Sequence, residues 1–224
     1  MPSSTLLRQP PRTLVIAATA LPLALAVLAD DVRLRRRLEA AHRDPLTGLL
    51  RRDAYTARAR RLLARHDDDT TVVMVDADRF KEINDGLGHA AGDTVLASIA
   101  ARLTAWARPR AAVGRLGGDE FAVVLELPAE RREQHLEQLV RMLHTPVTLD
   151  DGRTVAVAAS VGAASPDVIG TRDLTALQRA ADAALYDGKH TGRAVLATSA
   201  HATVPSVNGR RASRPGTSLW GRAA

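Results

Sequence analysis

The sequence predicts an α+β fold. A β-branched run over residues 71–75 leads into apolar positions at helical spacing, and a glycine pair at Gly117 and Gly118 separates two further apolar runs. Strand and helix patterns then alternate as far as residue 185. The first strand is 71–75, short and bounded by polar residues. Val95, Leu96, Ile99, Ala100 and Leu103 mark the helix that follows. Residues 113–116 and 121–125 flank the glycine pair and predict a hairpin, because glycine supplies the left-handed conformation a tight turn needs. Leu136, Leu139, Val140 and Leu143 mark another helix, 154–161 another strand, and Leu174, Leu177, Ala181, Ala184 and Leu185 a last helix. No fixed internal period is visible, which excludes a solenoid or propeller.

The flanks differ from this body. Residues 13–29 are uncharged and mostly apolar, closed by Asp30 and Asp31, and form a membrane-helix candidate. The run is short for a span, which takes roughly 17 to 25 residues, and Pro22 interrupts it; a cleaved signal peptide or an amphipathic docking helix are the alternatives. Arg33, Arg35, Arg36 and Arg37 follow directly, so the positive-inside rule places the C-terminal body in the cytoplasm at the cell membrane. Val32, Leu34, Leu38 and Ala41 predict a short juxtamembrane helix. Residues 198–224, rich in Ser, Gly, Pro and Arg, read as a disordered basic tail. The expected organisation is therefore 1–43, a domain over 44–197, and 198–224.

Composition narrows the function. A hydrophobic fraction of 46% excludes general disorder, and the absence of Cys excludes disulfides, thiolate metal sites and a Cys nucleophile. The net charge of +6 favours phosphate-bearing partners, yet much of the basic excess lies in the flanks, so no specific nucleic-acid partner is expected.

Chemistry gathers at two places. Asp76 and Asp78 stand at the exit of the first strand, and Asp119 and Glu120 follow the glycine pair, where a ligand can approach the backbone closely. On neighbouring strands Asp76 and Asp119 would face one another and repel unless a divalent cation lay between them. Oxygen-only ligands favour Mg2+, with Mn2+ as the alternative, and magnesium that completes its shell with water and phosphate suits a nucleotide site.

Residues 79–89 read Arg-Phe-Lys-Glu-Ile-Asn-Asp-Gly-Leu-Gly-His, with Asp93 shortly after, and residues 115–121 read Arg-Leu-Gly-Gly-Asp-Glu-Phe. Together with Asp-Pro-Leu-Thr-Gly-Leu at 44–49, Ser-Val-Gly at 160–162 and Ala-Asp-Ala-Ala-Leu-Tyr before Lys189 and Arg193, these make residues 44–197 resemble the GGDEF diguanylate cyclase domain. The resemblance implies a nucleotidyl-cyclase, palm-like domain with a central mixed sheet flanked by helices. It implies condensation of two GTP into cyclic di-GMP by a magnesium-dependent homodimer. Asp76, the Ala77 carbonyl and Asp119 would bind the metal; Asn84 and Asp93 would read guanine; Lys81, Lys189, Arg193 and the backbone at Phe80 would contact the triphosphate. Asp119 or Glu120 would serve as catalytic base. The chain holds two lysines, and both fall at these phosphate positions.

Two positions depart from the family pattern. The product-inhibition set, Arg-x-x-Asp, reads Arg108-Pro-Arg-Ala111, which removes an acceptor for the product's guanine and predicts weak or absent feedback there. Arg51 replaces the usual Asn near the domain start. Competing readings are a catalytically silent GGDEF domain that binds GTP or cyclic di-GMP, and an unrelated palm-type nucleotidyl enzyme.

Overall fold

A computed structural model describes residues 28–34, 38–189 and 191–203. The chain divides into two compact units between His42 and Arg43. In the first, residues 28–34 and 38–41 are helical, so the described part of the helix expected from Val32 to Ala41 is helical and the described helix starts earlier, at residue 28, with Leu28, Val32, Leu34 and Leu38 exposed. Residues 13–27 of the expected membrane segment lie outside the described residues; among those described, no helix is long and apolar enough to cross a membrane.

The second unit is built on a six-stranded mixed sheet of order β1-β3-β4-β2-β7-β8. Its strands are β1 (Leu50–Arg51), β2 (Thr70–Ala77), β3 (Ala112–Gly117), β4 (Glu120–Glu126), β7 (Ala159–Ala164) and β8 (Ala194–Leu196), while β5 (Val147–Thr148) and β6 (Thr154–Val155) form a separate ribbon. The helices are α1 (Arg52–Leu63), α2 (Phe80–Leu87), α3 (His89–Ala107), α4 (Ala129–Leu143), α5 (Pro166–Ile169) and α6 (Leu174–Asp187).

β2 is the central strand. All eight of its residues are buried, and it pairs antiparallel with β4 on one side and β7 on the other. Successive residues of a strand point to opposite faces, so the β-branched run feeds two cores at once. Val73, Val75 and Ala77 join α3 and α4 through Ile99, Leu103, Leu136 and Leu139. Val72 and Met74 join α1 and α6 through Tyr55, Leu63, Leu177 and Ala181. Among the described residues, parallel pairing appears at the two edges, β1 with β3 and β7 with β8. The sheet is therefore mixed and flanked by helices on both faces, as the resemblance implied.

Two expectations need correction. The strand expected over 154–161 is two strands: β6 pairs with β5, whereas β7 pairs with β2 and runs on to Ala164. The chain changes partner at Ala158, whose carbonyl accepts from the Asp78 N–H at 2.9 Å. The unstructured tail expected from 198 begins instead with a 3-10 turn, Ser199–Thr203. There Nδ1 of His201 accepts from the Thr198 N–H at 2.9 Å, and its Nε2 lies 3.2 Å from the Asp187 carboxylate. Residues 204–224 lie outside the described residues.

Candidate active site

Strand register alone assembles a polar row at one end of the sheet. Asp76 of β2 lies directly opposite Glu120 of β4 and directly opposite Ser160 of β7. Val161 pairs with Ala194, so Arg193, one residue before β8, falls level with Ser160. Residues level with one another across a sheet share a face, and this face is the one that carries α6.

Asp119 stands beside the row rather than in it. The residue opposite Asp76 is Glu120; Asp119 sits one step earlier, in the turn, and its carbonyl accepts from the Ala77 N–H at 3.2 Å. That bond still brings both expected metal-binding segments together. Asp76 and Asp119 are 6% and 7% exposed, and a buried carboxylate needs a compensating cation or donors. For Asp76 a cation is at hand: the Lys189 ammonium lies 3.1 Å from its Oδ1.

The turn that presents Asp119 is held from outside. Gly118 adopts φ 53°, in the left-handed region, and a register shift lies between Arg115 and Gly117. Arg115 donates through Nε to the Gly118 carbonyl at 2.9 Å and through a terminal nitrogen to Oδ1 of Asp44 at 3.0 Å. Asp44 in turn accepts from the Thr47 N–H and hydroxyl, at 2.9 and 2.6 Å. Burial works to raise the Asp44 pKa, but the Thr47 and Arg115 hydrogen bonds outweigh it and hold the carboxyl below its usual range. This strap was not among the expected site features.

α2 carries the remaining expectations. Arg79, its N-cap, has φ 52°, a strained conformation for a non-glycine residue. Glu82 and Ile83 donate to the Arg79 carbonyl, leaving the N–H groups of Phe80 and Lys81 ahead of the first intrahelical bond and close to the end of β2. Phe80 and Asn84 both lie against Gly92, where a Cβ would sit 2.0 Å from the Asn84 Oδ1 and 3.2 Å from the Phe80 ring. A side chain there would displace the Asn84 amide, and the next residue, Asp93, is exposed. Lys81 and Arg193 are likewise exposed.

Asp78, noted at the strand exit, accepts from the Ser160 hydroxyl at 2.8 Å and so ties β2 to β7 just past Asp76. The Ser-Val-Gly motif was the signal for this contact; its partner was not legible.

The donor set fits magnesium. Among the described residues no group of three or more His, Cys, Asp or Glu is placed to hold a metal. Two adjoining buried carboxylates and a carbonyl instead match an ion that keeps water and phosphate as its other ligands. A cleft of about 1130 Å3 lies elsewhere in the unit. Arg108, Ala111, Arg131, His135 and Arg141 line it, with Glu126, which lies six residues along β4 from Glu120, about 20 Å at roughly 3.4 Å per residue.

Residues 41–195 match the family described as diguanylate cyclase, GGDEF domain. A 19.3 kDa protein of Streptomyces ambofaciens is 43% identical over 177 residues, covering 79% of this chain and 93% of its own length. The diguanylate cyclase TpbB of Pseudomonas aeruginosa PAO1 is 41% identical over 159 residues, covering 68% of this chain but 36% of its own. The chain thus spans about a third of that relative. Among solved structures, the isolated GGDEF domain of TpbB superposes with a TM-score of 0.64 at 39% identity, over 71% of this chain and 96% of that one. The coiled coil and GGDEF domain of DgcB from Caulobacter crescentus, in complex with c-di-GMP, gives 0.68 at 26% identity over 81% and 100%. With the signature turn, its flanking acids and the sheet order all in place, the chain belongs to the GGDEF family of diguanylate cyclases.

Proposed function

We propose that this chain condenses two molecules of GTP into cyclic di-GMP, releasing two pyrophosphates. The observation that carries the reading is the row across the sheet, Glu120, Asp76, Ser160 and Arg193, with Lys189 on Asp76 and Asp119 in the adjoining turn.

In this reading Asp76, the Ala77 carbonyl and Asp119 hold magnesium, which when bound neutralises charge on the phosphates. Lys81, Lys189, Arg193 and the Phe80 N–H grip the triphosphate, the last by aiming the positive end of α2 at it. Asn84 and Asp93 read guanine: a carboxylate accepts from the ring N–H and the exocyclic amine, a donor pair that adenine lacks. The 3′-hydroxyl oxygen of one GTP forms a bond to the α-phosphorus of the other, the α–β bridging P–O bond breaks, and pyrophosphate carries away the electron pair. With the Asp119 carboxylate committed to the cation, Glu120 is left to accept the hydroxyl proton. Positioning supplies most of the acceleration.

One GTP per domain requires two copies of the chain, face to face, so the active species is a homodimer. Residues 13–29, with the arginines that follow, would hold both copies at a membrane and raise their local concentration. Ala111 in the large cleft leaves product inhibition there weak or absent.

Pyrophosphate release from GTP and from ATP tests the substrate assignment. Release from GTP alone, with the GTP KM raised in Asn84→Ala and Asp93→Ala, is expected. Equal release from both nucleotides would remove the guanine-reading roles.

A further inference from the structure

The chain passes from the end of β2 to the start of α2 through Arg79, and both sides of that residue are fixed. On the strand side β7 holds Asp78 twice: the Asp78 N–H donates to the Ala158 carbonyl at 2.9 Å, and its Oδ1 accepts from the Ser160 hydroxyl at 2.8 Å. Ser160 is 4% exposed and lies directly opposite Asp76, so its hydroxyl reaches two residues further along the chain to make this bond. On the helix side Phe80 and Ile83 pack, partly buried, against the core shared by β2, α3 and α4.

Arg79 makes the connection in a left-handed conformation, φ 52° and ψ 27°. For a residue with a Cβ that conformation is disfavoured by about 5- to 30-fold. The Arg79 side chain is exposed, so its burial does not offset the strain. The Arg79 carbonyl accepts from the Glu82 N–H at 2.9 Å and the Ile83 N–H at 3.3 Å, and these two bonds start α2. Strain of this kind persists only where the surroundings over-determine it. Here they are Asp78, tied to β7, and the packed pair Phe80 and Ile83.

We propose that Ser160 and Asp78 are positioning residues: the bond between them holds Arg79 left-handed and thereby sets the direction in which α2 presents Phe80 and Lys81. The clamp itself needs no nucleotide; its consequence for GTP rests on the phosphate roles given to Phe80 and Lys81.

Glycine adopts the left-handed conformation freely, so Arg79→Gly removes the need for a clamp and provides the test. In the full-length, nucleotide-free chain, Ser160→Ala should quicken exchange of the Glu82 and Ile83 amides about five-fold, the equivalent of one lost hydrogen bond. The same substitution made in Arg79→Gly should change that exchange by no more than about two-fold. The KM for GTP should follow the same pattern, raised about five-fold by Ser160→Ala beside Arg79 and by no more than about two-fold beside glycine. A hydroxyl that merely supported the fold would cost the same with either residue at position 79.

Unchanged exchange at Glu82 and Ile83 in Ser160→Ala, an increase of equal size over the whole unit, or an equal effect of Ser160→Ala with arginine and with glycine at position 79 would each overturn the proposal. The expected exchange pattern with an unchanged KM would support the clamp and contradict the phosphate roles of Phe80 and Lys81 instead, so the two readings fail separately.

Discussion

Nζ of Lys189 lies 3.1 Å from Oδ1 of Asp76, a contact between residues 113 positions apart. Asp76 stands in the polar row between Glu120 and Ser160, and the ammonium at its carboxylate is the chain's own cation where the proposed reaction needs a metal. On the proposed reading, Lys189 would oppose metal binding by charge in the nucleotide-free protein and would turn to the phosphates once GTP is bound.

Replacing Lys189 with Met should separate these effects. Magnesium or manganese alone should raise the melting temperature of Lys189→Met more than that of wild type, while kcat/KM for GTP falls about 10- to 100-fold, as expected for a charged hydrogen bond to phosphate. Thermal melts with and without metal and steady-state kinetics provide both readouts. An equal metal shift in the two proteins would contradict the role given to this contact.

Gly92 tests the guanine end. Alanine there would place a methyl 2.0 Å from Oδ1 of Asn84, so the amide must swing away. The position is inside α3, where Gly→Ala otherwise gains about 1 kcal/mol. Gly92→Ala should thus melt near the wild-type temperature and still lose about 10-fold or more in GTP affinity, measured by calorimetry, as expected for a lost directional hydrogen bond. Undiminished affinity would remove Asn84 from the base-reading set.

Asp44 gives a pH signature. Its folded pKa lies below the ordinary carboxyl value of 3.8, because hydrogen bonds from Thr47 and Arg115 outweigh burial. A depressed carboxyl pKa adds stability that is fully present above the unfolded value and is lost as pH falls through the folded one. Asp44→Asn should be less stable than wild type at neutral pH by about 1–3 kcal/mol, the range for a charged hydrogen-bonded group, and the gap should close below pH 3.8. Denaturant melts at both pH values check this; a gap independent of pH would contradict it.

The elements legible in the sequence are those with a strong period. β2, the hairpin, α3, α4 and α6 each carry a clean apolar pattern. α1 escaped notice because its buried stripe, Tyr55, Ala59 and Leu63, runs among four arginines. The β5–β6 ribbon has two residues per strand, too few to show alternation, so β6 merged with β7 in the reading. At the site, the acids stood out because glycines and a strand end flank them. The strap from Asp44 to Arg115 and the bond from Ser160 to Asp78 join residues 71 and 82 positions apart, and only folding reveals them.

The central claim is tested most directly by incubating the purified chain with GTP and magnesium at high protein concentration and separating the nucleotides by chromatography, beside Asp119→Ala. Cyclic di-GMP and pyrophosphate from the wild type, with product reduced by at least about 100-fold in the variant, is the expected result for loss of a metal-binding carboxylate. Persistent absence of product with magnesium, manganese and enforced dimerisation, while GTP or cyclic di-GMP still binds, would contradict it and make the chain a nucleotide-binding module instead.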